Sequence, residues 1–276
     1  MTVGIVITIY KDLESLKIII NAIKNQMVLP TEIIIAEDNE SEEIKDFVLK
    51  INIPNVSIKH TYQKDEGWQR NKSTNNALRI AQSEYLIFLD GDCIPHSKLV
   101  YAHKLLSKDN TLLCGRRVYL GPTFSKLLRK KIIQISKFEK NYIKDIFDIT
   151  KDTRHYEEGL YFDPKGFFYN LLKKVLRKKT WLIGCHWSVW RNDLLKINGF
   201  DEDFNMPLYG EDVDVERRLR GIGVKIESCR NAAIVYHLHH EKVFNSNEEV
   251  NDYKIPYDLM QSKKDQFICK NGVEKL

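Results

Sequence analysis

The sequence is short of several things, and each shortage closes off a class of protein. Only five of its 276 residues are cysteine (Cys93, Cys114, Cys185, Cys229, Cys269). They are scattered, odd in number and form no C-x-x-C pair, so neither a disulfide framework nor a structural zinc site is expected. No apolar run is long enough to cross a bilayer. The first stretch, Val3-Gly4-Ile5-Val6-Ile7-Thr8-Ile9, carries no basic n-region and no small-residue cleavage site, so no signal peptide is expected and a cytoplasmic location fits best. No G-x-G-x-x-G follows that stretch. Thr8-Ile9-Tyr10-Lys11-Asp12 stands there instead, which excludes a dinucleotide oxidoreductase. There is also no internal repeat and no low-complexity linker.

What is present suffices for a sizeable core: 43% of residues are hydrophobic and 29% charged. The formal net charge of +5 hides an asymmetry. Between Phe124 and Lys144, seven bases face the single acid Glu139, a net +6. Between Lys165 and Lys179, six bases face none, another +6, which leaves −7 for the rest of the chain. A basic stretch of this kind suits nucleic acid or an anionic membrane surface.

The first part alternates β-branched runs with amphipathic stretches. Val3–Ile9 reads as a buried strand, followed by a helix from Asp12 to about Gln26 with Leu16, Ile19, Ile20 and Ile23 on its apolar face. Strands at Glu32–Ala36, Val56–Tyr62 and Tyr85–Leu89 alternate with helices near Glu42–Lys50 and Lys72–Ala81. This alternation predicts an α/β fold with a mostly parallel sheet, right-handed crossovers and ligands at the carboxyl ends of the strands. Residues 121–180 are basic and rich in Phe, Leu and Ile at helical spacing. Further on, Gly184–Trp190 and Ala232–His237 read as strands, and Arg191–Ile197 and Glu211–Arg220 as helices. The stretch from about Glu241 is polar and helix-compatible.

Several groups of residues suit chemistry. Asp90-Gly91-Asp92 puts two carboxylates on a turn after a strand, a pattern that holds a hard divalent cation together with phosphate oxygens, though an Asp-Gly turn also needs no ligand. Glu37-Asp38-Asn39 ends another strand, where a carboxylate accepts the N–H of a base or a ribose hydroxyl, or merely caps a helix. Gly67-Trp68-Gln69-Arg70-Asn71-Lys72 opens a helix whose N–H groups, with Arg70 and Lys72, suit a diphosphate. Gly210-Glu211-Asp212-Val213-Asp214 crowds more acids into a first turn than the helix dipole needs, and one of them suits a general base. His237, His239 and His240 end an apolar strand and offer a metal ligand. Strict alternation would put His237 and His239 on one face.

These motifs, in this order, resemble family 2 glycosyltransferases of bacterial surface-polysaccharide type. The run Gln63-Lys64-Asp65-Glu66-Gly67-Trp68, then Asn75-Asn76-Ala77-Leu78 and Tyr85-Leu86-Ile87-Phe88-Leu89-Asp90-Gly91-Asp92 is similar to their donor half. The segments Gly184-Cys185-His186-Trp187-Ser188-Val189-Trp190-Arg191, Asn198-Gly199-Phe200-Asp201, Gly210-Glu211-Asp212 and Tyr236-His237-Leu238-His239-His240 are similar to a galactosyltransferase-type C-terminal half. The resemblance covers about residues 3–240 and implies a GT-A fold, Rossmann-related, with helices on both sheet faces. It implies a donor half over 1–120 and an acceptor half over 121–240. The second half includes a basic helical insertion at 121–180, and an extension follows at 241–276. It also implies inverting transfer of a hexose or N-acetylhexosamine from a UDP-sugar to a hydroxyl of a glycan or lipid-linked saccharide, with Mn²⁺ or Mg²⁺.

In such enzymes Asp92 and His237 would bind the metal and Asp212 would be the base. Thr8, Tyr10, Glu37, Asp38, Lys72, Asn75 and Asp90 would contact the donor, and Trp187, Tyr209 and Glu211 the sugar and acceptor. The basic stretches would dock on the inner face of a membrane. Nucleic acid is the weaker partner, and a non-catalytic module binding nucleotide-sugar or nucleic acid is the rival reading. Three departures bear on sugar identity: Thr74 stands where an Arg is usual, His186-Trp187 replaces Asn-Met, and Leu208-Tyr209 replaces Trp-Gly.

Overall fold

The computed structural model describes residues 1–176, 180–205, 211–241 and 254–276. Its first strand, β1 (Val3–Ile9), is apolar throughout because both faces of the sheet are covered. The helix α1 (Leu13–Lys24) starts where the Asp12 carboxylate accepts the Ser15 N–H at 2.9 Å. It buries Leu16, Ile19, Ile20 and Ile23, each side chain contributing about 1.5–3 kcal/mol. Then follow β2 (Glu32–Glu37), α2 (Glu42–Leu49, capped by Ser41), β3 (Ser57–Thr61), α3 (Arg70–Ile80) and β4 (Tyr85–Asp90). Short elements continue the chain: β5 (Cys93–Pro95), α4 (Leu99–Leu106), β6 (Thr111–Cys114) and β7 (Arg117–Tyr119).

The basic stretch folds as α5 (Pro122–Arg129), α6 (Ile135–Asn141), α7 (Ile146–Ile149), a 3₁₀ turn at Tyr156–Gly159 and α8 (Phe167–Leu176). After it come β8 (His186–Trp190), α9 (Arg191–Lys196), α10 (Glu211–Gly221), β9 (Lys225–Ser228), β10 (Val235–His237) and α11 (Lys254–Ser262).

The main sheet runs β3-β2-β1-β4-β8-β6-β9. Strands β3, β2, β1 and β4 are parallel, β8 runs against both β4 and β6, and β9 is again parallel to β6. A mixed α/β sheet, mostly parallel, is therefore what the alternating pattern required. After β3 the chain returns across α3 to β4, on the other side of β1, so the strand order reverses between β1 and β4. Thr8 and Asp90 lie in register there, at the point where such sheets bind ligands. Two apolar clusters cover the two faces: Ile5, Ile7 and Ile9 pack with α1 on one, Val6 with Ala77, Leu78, Val215 and Leu219 of α3 and α10 on the other. A second sheet, β5-β10-β7, hangs below the switch point.

The first basic stretch corrects a sequence expectation. Phe124, Leu128, Ile135 and Tyr142 are buried in the first cluster, so most of this stripe is core, though Ile132 faces out. The second differs: among its described side chains Phe167, Phe168 and Leu171 are exposed and Tyr169 is buried. The C-terminal stretch also has a definite role. Asn198 donates to the Cys269 and Glu274 carbonyls, and Lys263 pairs with Asp201 at 2.6 Å, tying the tail to the Asn198–Asp201 turn.

Candidate active site

A cleft of about 690 Å³ opens at the carboxyl ends of β1 and β4. Thr8, Asp38, Asp90, Asp92, Glu211, Asp212 and His237 line it together, although some 200 residues separate the first from the last. Gly91 sits between the two aspartates because a Cβ there would lie 2.8 Å from the Thr8 carbonyl. Only glycine lets the turn press against β1 so that both carboxylates reach the cleft.

Asp92 faces two histidines: Oδ2 lies 3.2 Å from His237 Nε2 and 3.4 Å from His240 Nε2. Burial pushes the Asp92 carboxyl up, but the His237 hydrogen bond and the nearby His240 and Arg117 hold it below its ordinary value. Oxygen and imidazole donors within 4.8 Å of one another, in an open cleft, suit a divalent cation such as Mn²⁺ or Mg²⁺. His240, not His239, joins His237, which corrects the alternation argument. The strand ends at His237, and the His239 N–H turns to Ser125 Oγ.

Asp90 is held by cations. Arg70 Nη2 donates to Asp90 Oδ1, Arg70 Nη1 lies 3.4 Å from Glu211, and Arg117 Nη1 lies 3.7 Å from Asp90 Oδ2. Thr8 Oγ1 donates to Asp90 Oδ1 at 3.4 Å. Arg117 was missed in the sequence, although two arginines beside a short apolar strand, Arg116-Arg117-Val118-Tyr119, are the signal. Its Nε is buried without a partner among the described residues. Burial raises the Glu211 carboxyl above its ordinary value, against the opposing Arg70. Asp212 is anchored instead, Oδ2 accepting the Gly184 N–H at 3.0 Å.

Asp38 lies at the other end. Its oxygens accept from Gln63 Nε2 at 2.7 Å and from the Gln69 N–H at 2.8 Å, and burial raises its pKa. Tyr10 is half exposed at the rim and donates to Asp65 at 3.3 Å.

Other expected donor and acceptor residues lie elsewhere. Glu37 is fully buried and accepts the Ser41 N–H at 2.8 Å while pairing with His60 at 2.7 Å, so it supports the start of α2 from below. Lys72 points to Glu66, and Arg70, one turn earlier by half, takes the inward position. Asn75 is fully buried and clasps Phe200, donating to its carbonyl at 2.8 Å and accepting its N–H at 2.9 Å. It holds the Gly199-Phe200 turn rather than facing the cleft. Trp187 is buried and stacks on Phe88 with centroids 4.2 Å apart, so it is a core residue. Tyr209 lies outside the described residues.

Residues 4–186 match the profile of "Glycosyl transferase family 2", and residues 172–241 that of "N-terminal domain of galactosyltransferase". A hyaluronan synthase of Pasteurella multocida is 23% identical over 94% of this chain and 27% of its own length. The chain thus spans about a quarter of that relative. Among solved structures, S. aureus TarS superposes over 95% of this chain and 39% of its own, at TM-score 0.57 and 13% identity. The mannosyltransferase PcManGT from Pyrobaculum calidifontis, in complex with GDP-Man and Mn²⁺, covers 88% of this chain and 58% of its own at TM-score 0.55 and 13% identity. TarS 1–349 in complex with UDP-GlcNAc covers 95% of this chain and 65% of its own, with TM-score 0.57 and 15% identity. The fold is that of GT-A glycosyltransferases.

Proposed function

Because this chain belongs to glycosyl transferase family 2, we propose that it transfers a hexose or N-acetylhexosamine from a UDP-sugar to a saccharide or lipid-linked saccharide hydroxyl, with inversion. The observation that carries this reading is the meeting of Asp90, Asp92, Glu211, Asp212, His237 and His240 at one cleft over a strand-order reversal. Asp92, His237 and His240 would hold Mn²⁺ or Mg²⁺, which when bound neutralises charge on the leaving diphosphate. Asp38 and Thr8 hold the uridine, and Arg70 and Arg117 bring positive charge to the phosphates. Asp212 accepts the proton of the acceptor hydroxyl as its oxygen bonds to the anomeric carbon. The bond from that carbon to the diphosphate breaks on the opposite face, and UDP leaves. The Gly184 N–H keeps the Asp212 carboxylate turned toward the cleft.

Screening UDP-sugars for metal-dependent UDP release, with and without short saccharide acceptors, tests the reading. Release from at least one UDP-sugar, raised by an acceptor and abolished by a chelator, is expected. Tight UDP binding without turnover on any donor–acceptor pair would leave a binding module instead.

The acceptor side of the proposal includes the inner face of a membrane. No helix among the described residues is long and apolar enough to cross one. Phe147, Phe167 and Phe168 are 83%, 74% and 68% exposed, with Lys144 and Lys165 also exposed beside them in sequence. Each lysine near an anionic surface contributes about 1 kcal/mol. Co-sedimentation with vesicles should rise with anionic lipid, fall with salt, and drop on changing these three phenylalanines to Ser. Equal sedimentation of variant and parent would remove the membrane from the proposal.

A further inference from the structure

Residues 180–184 lead into β8 without belonging to the sheet, and side chains hold their backbone. Arg116 donates to the Trp181 carbonyl at 3.1 Å, and Glu216 accepts the Leu182 N–H. Gly184 is held on both sides: its N–H donates to Asp212 Oδ2 and its carbonyl accepts from Arg70 Nη2, each at 3.0 Å. These two bonds belong to the two peptide groups that flank one Cα. Glycine has the freest backbone of any residue, so the direction of this N–H depends on what the carbonyl is tied to.

The space at Gly184 is also committed. A Cβ there would lie 2.8 Å from Arg70 Nη1 and 3.6 Å from the Asp212 Cβ, so the guanidinium occupies the place of a side chain. The same guanidinium joins the two sides of the cleft. Arg70 is the first residue of α3. Its Nη2 also donates to Asp90 Oδ1 at the end of β4, and its Nη1 donates to Glu211 Oε1 at the start of α10 at 3.4 Å. Burial works against its charge, but Asp90, Glu211 and Asp212 hold it above its ordinary value. Asp212 accepts one N–H on each oxygen, from Gly184 on Oδ2 and from Val213 on Oδ1 at 2.8 Å, and lone pairs are left for an incoming proton.

The donors of Arg70 are thus turned largely to the protein. A point charge serves a phosphate, whereas a planar fork is needed to bridge several fixed acceptors. We propose that Arg70 is a positioning residue: by fixing the Gly184 carbonyl it aims the Gly184 N–H that holds Asp212, and so acts through Asp212. Because Asp212 is the base only in the proposed transfer, this role of Arg70 rests on that reading.

The test is steady-state kinetics on a donor–acceptor pair that the parent turns over. The variants are Arg70→Lys, Gly184→Ala, Asp212→Asn and the combination of Arg70→Lys with Asp212→Asn. Arg70→Lys keeps the charge, but its ammonium ends one bond short of the Nη2 position. It should lower kcat about 100-fold, the cost of a misplacement near ~1 Å. Calorimetry should find its UDP affinity within about threefold of the parent, as for an interaction made only in the transition state. Gly184→Ala leaves Arg70 in place in the sequence but crowds its Nη1, and should show the same split. In the Asp212→Asn background, Arg70→Lys should cost less than about threefold more, since groups that act as a unit are not additive.

Full kcat in Arg70→Lys, or a raised KM for the UDP-sugar with kcat intact, would overturn the proposal and leave Arg70 as a phosphate cation. An undiminished loss in the Asp212→Asn background would also overturn it, because Arg70 would then act independently of the base. Loss of UDP binding together with turnover in both single variants would reduce the arginine to a structural support. A parent that turns over no donor–acceptor pair is a separate failure: it removes the transfer reading, and the role of Arg70 with it.

Discussion

Two clusters of potential metal ligands sit in the same half of the molecule and behave in opposite ways. Asp92, His237 and His240 form one at the cleft; His103, His186 and Cys229 form the other, fully buried between α4, β8 and the turn after β9. In the buried cluster every donor is directed. The Arg116 carbonyl can only accept, so His186 Nδ1 carries a proton and its Nε2 accepts from His103 Nε2–H at 2.8 Å. His103 Nδ1 then accepts from Ser188 Oγ–H, and Ser188 from the Tyr85 hydroxyl, both at 2.7 Å. The chain runs in one direction and fixes both imidazoles as neutral. At the cleft, His240 Nδ1 donates to the Glu241 carbonyl at 2.9 Å, which leaves its Nε2 lone pair turned to Asp92, and Asp92 and His240 are open to the cleft. Ligand type is therefore not enough to mark a metal site; what matters is whether the lone pairs are already used.

The contrast gives expectations that differ between the two places. The largest effect belongs to the cleft: Asp212→Asn should lower kcat by about 10²–10⁴-fold, the range of a lost general base, with UDP affinity and Tm unchanged. Near-normal turnover would move the base to Glu211, whose raised pKa and unpartnered Oε2 make it the next candidate. Next, Asp92→Ala and His237→Ala should each weaken Mn²⁺-dependent UDP binding by about 100-fold or more, since even outer partners of a metal are worth about 10–100-fold. Calorimetry with and without Mn²⁺ reads this, and thermal melting of the metal-free variants should match the parent. The buried cluster should show the reverse. His103→Leu leaves His186 Nε2 without a donor and the Ser188 O–H without an acceptor, at about 1–3 kcal/mol each, and should lower Tm while hardly changing UDP affinity in the folded fraction. One zinc per chain that resists chelation in elemental analysis would put a metal in the buried cluster and end the contrast.

The sequence was legible where local rules and burial agree. Val3–Ile9, Glu32–Glu37 and Tyr85–Asp90 are apolar because both faces are covered, and Asp12 and Ser41 cap the helices that follow. Strands β5, β6, β7 and β9 have only three or four residues, too few for any period to show. The direction of β8, antiparallel in a parallel sheet, depends on partners distant in sequence. The basic stretch misled because a stripe at helical spacing looks the same whether it meets core or solvent, as Leu128 and Phe168 do. At the site, Asp38, Asp90 and Asp92 were legible because they follow or end strands β2 and β4, whose carboxyl ends meet at the cleft. Asn75 was not, because an amide clasping a turn and an amide clasping a ligand have the same sequence.

The smallest effect concerns pH and separates the buried cluster from the cleft by stability alone. Burial holds His186 at about 4 and His103 well below its ordinary value. The groups facing them are the Tyr85 and Ser188 hydroxyls, the Cys229 thiol and the Arg116 carbonyl, none of them an anion that would stabilise an imidazolium. In the unfolded chain both histidines return to a pKa near ~6.5. Between about 6.5 and 4 the unfolded state therefore binds more protons, and stability falls as pH falls, not as it rises. For His186 alone, the interval between ~6.5 and about 4 amounts to roughly 2 kcal/mol lost by about pH 5. Melting curves from neutral pH down to about 5 should show this loss, added to whatever the carboxylates contribute. In a His186→Asn variant the pH dependence should become shallower by about that amount, even if the variant starts from a lower Tm. An unchanged slope would mean that the buried imidazoles take up protons as readily folded as unfolded, and the directed hydrogen-bond chain would have to be abandoned.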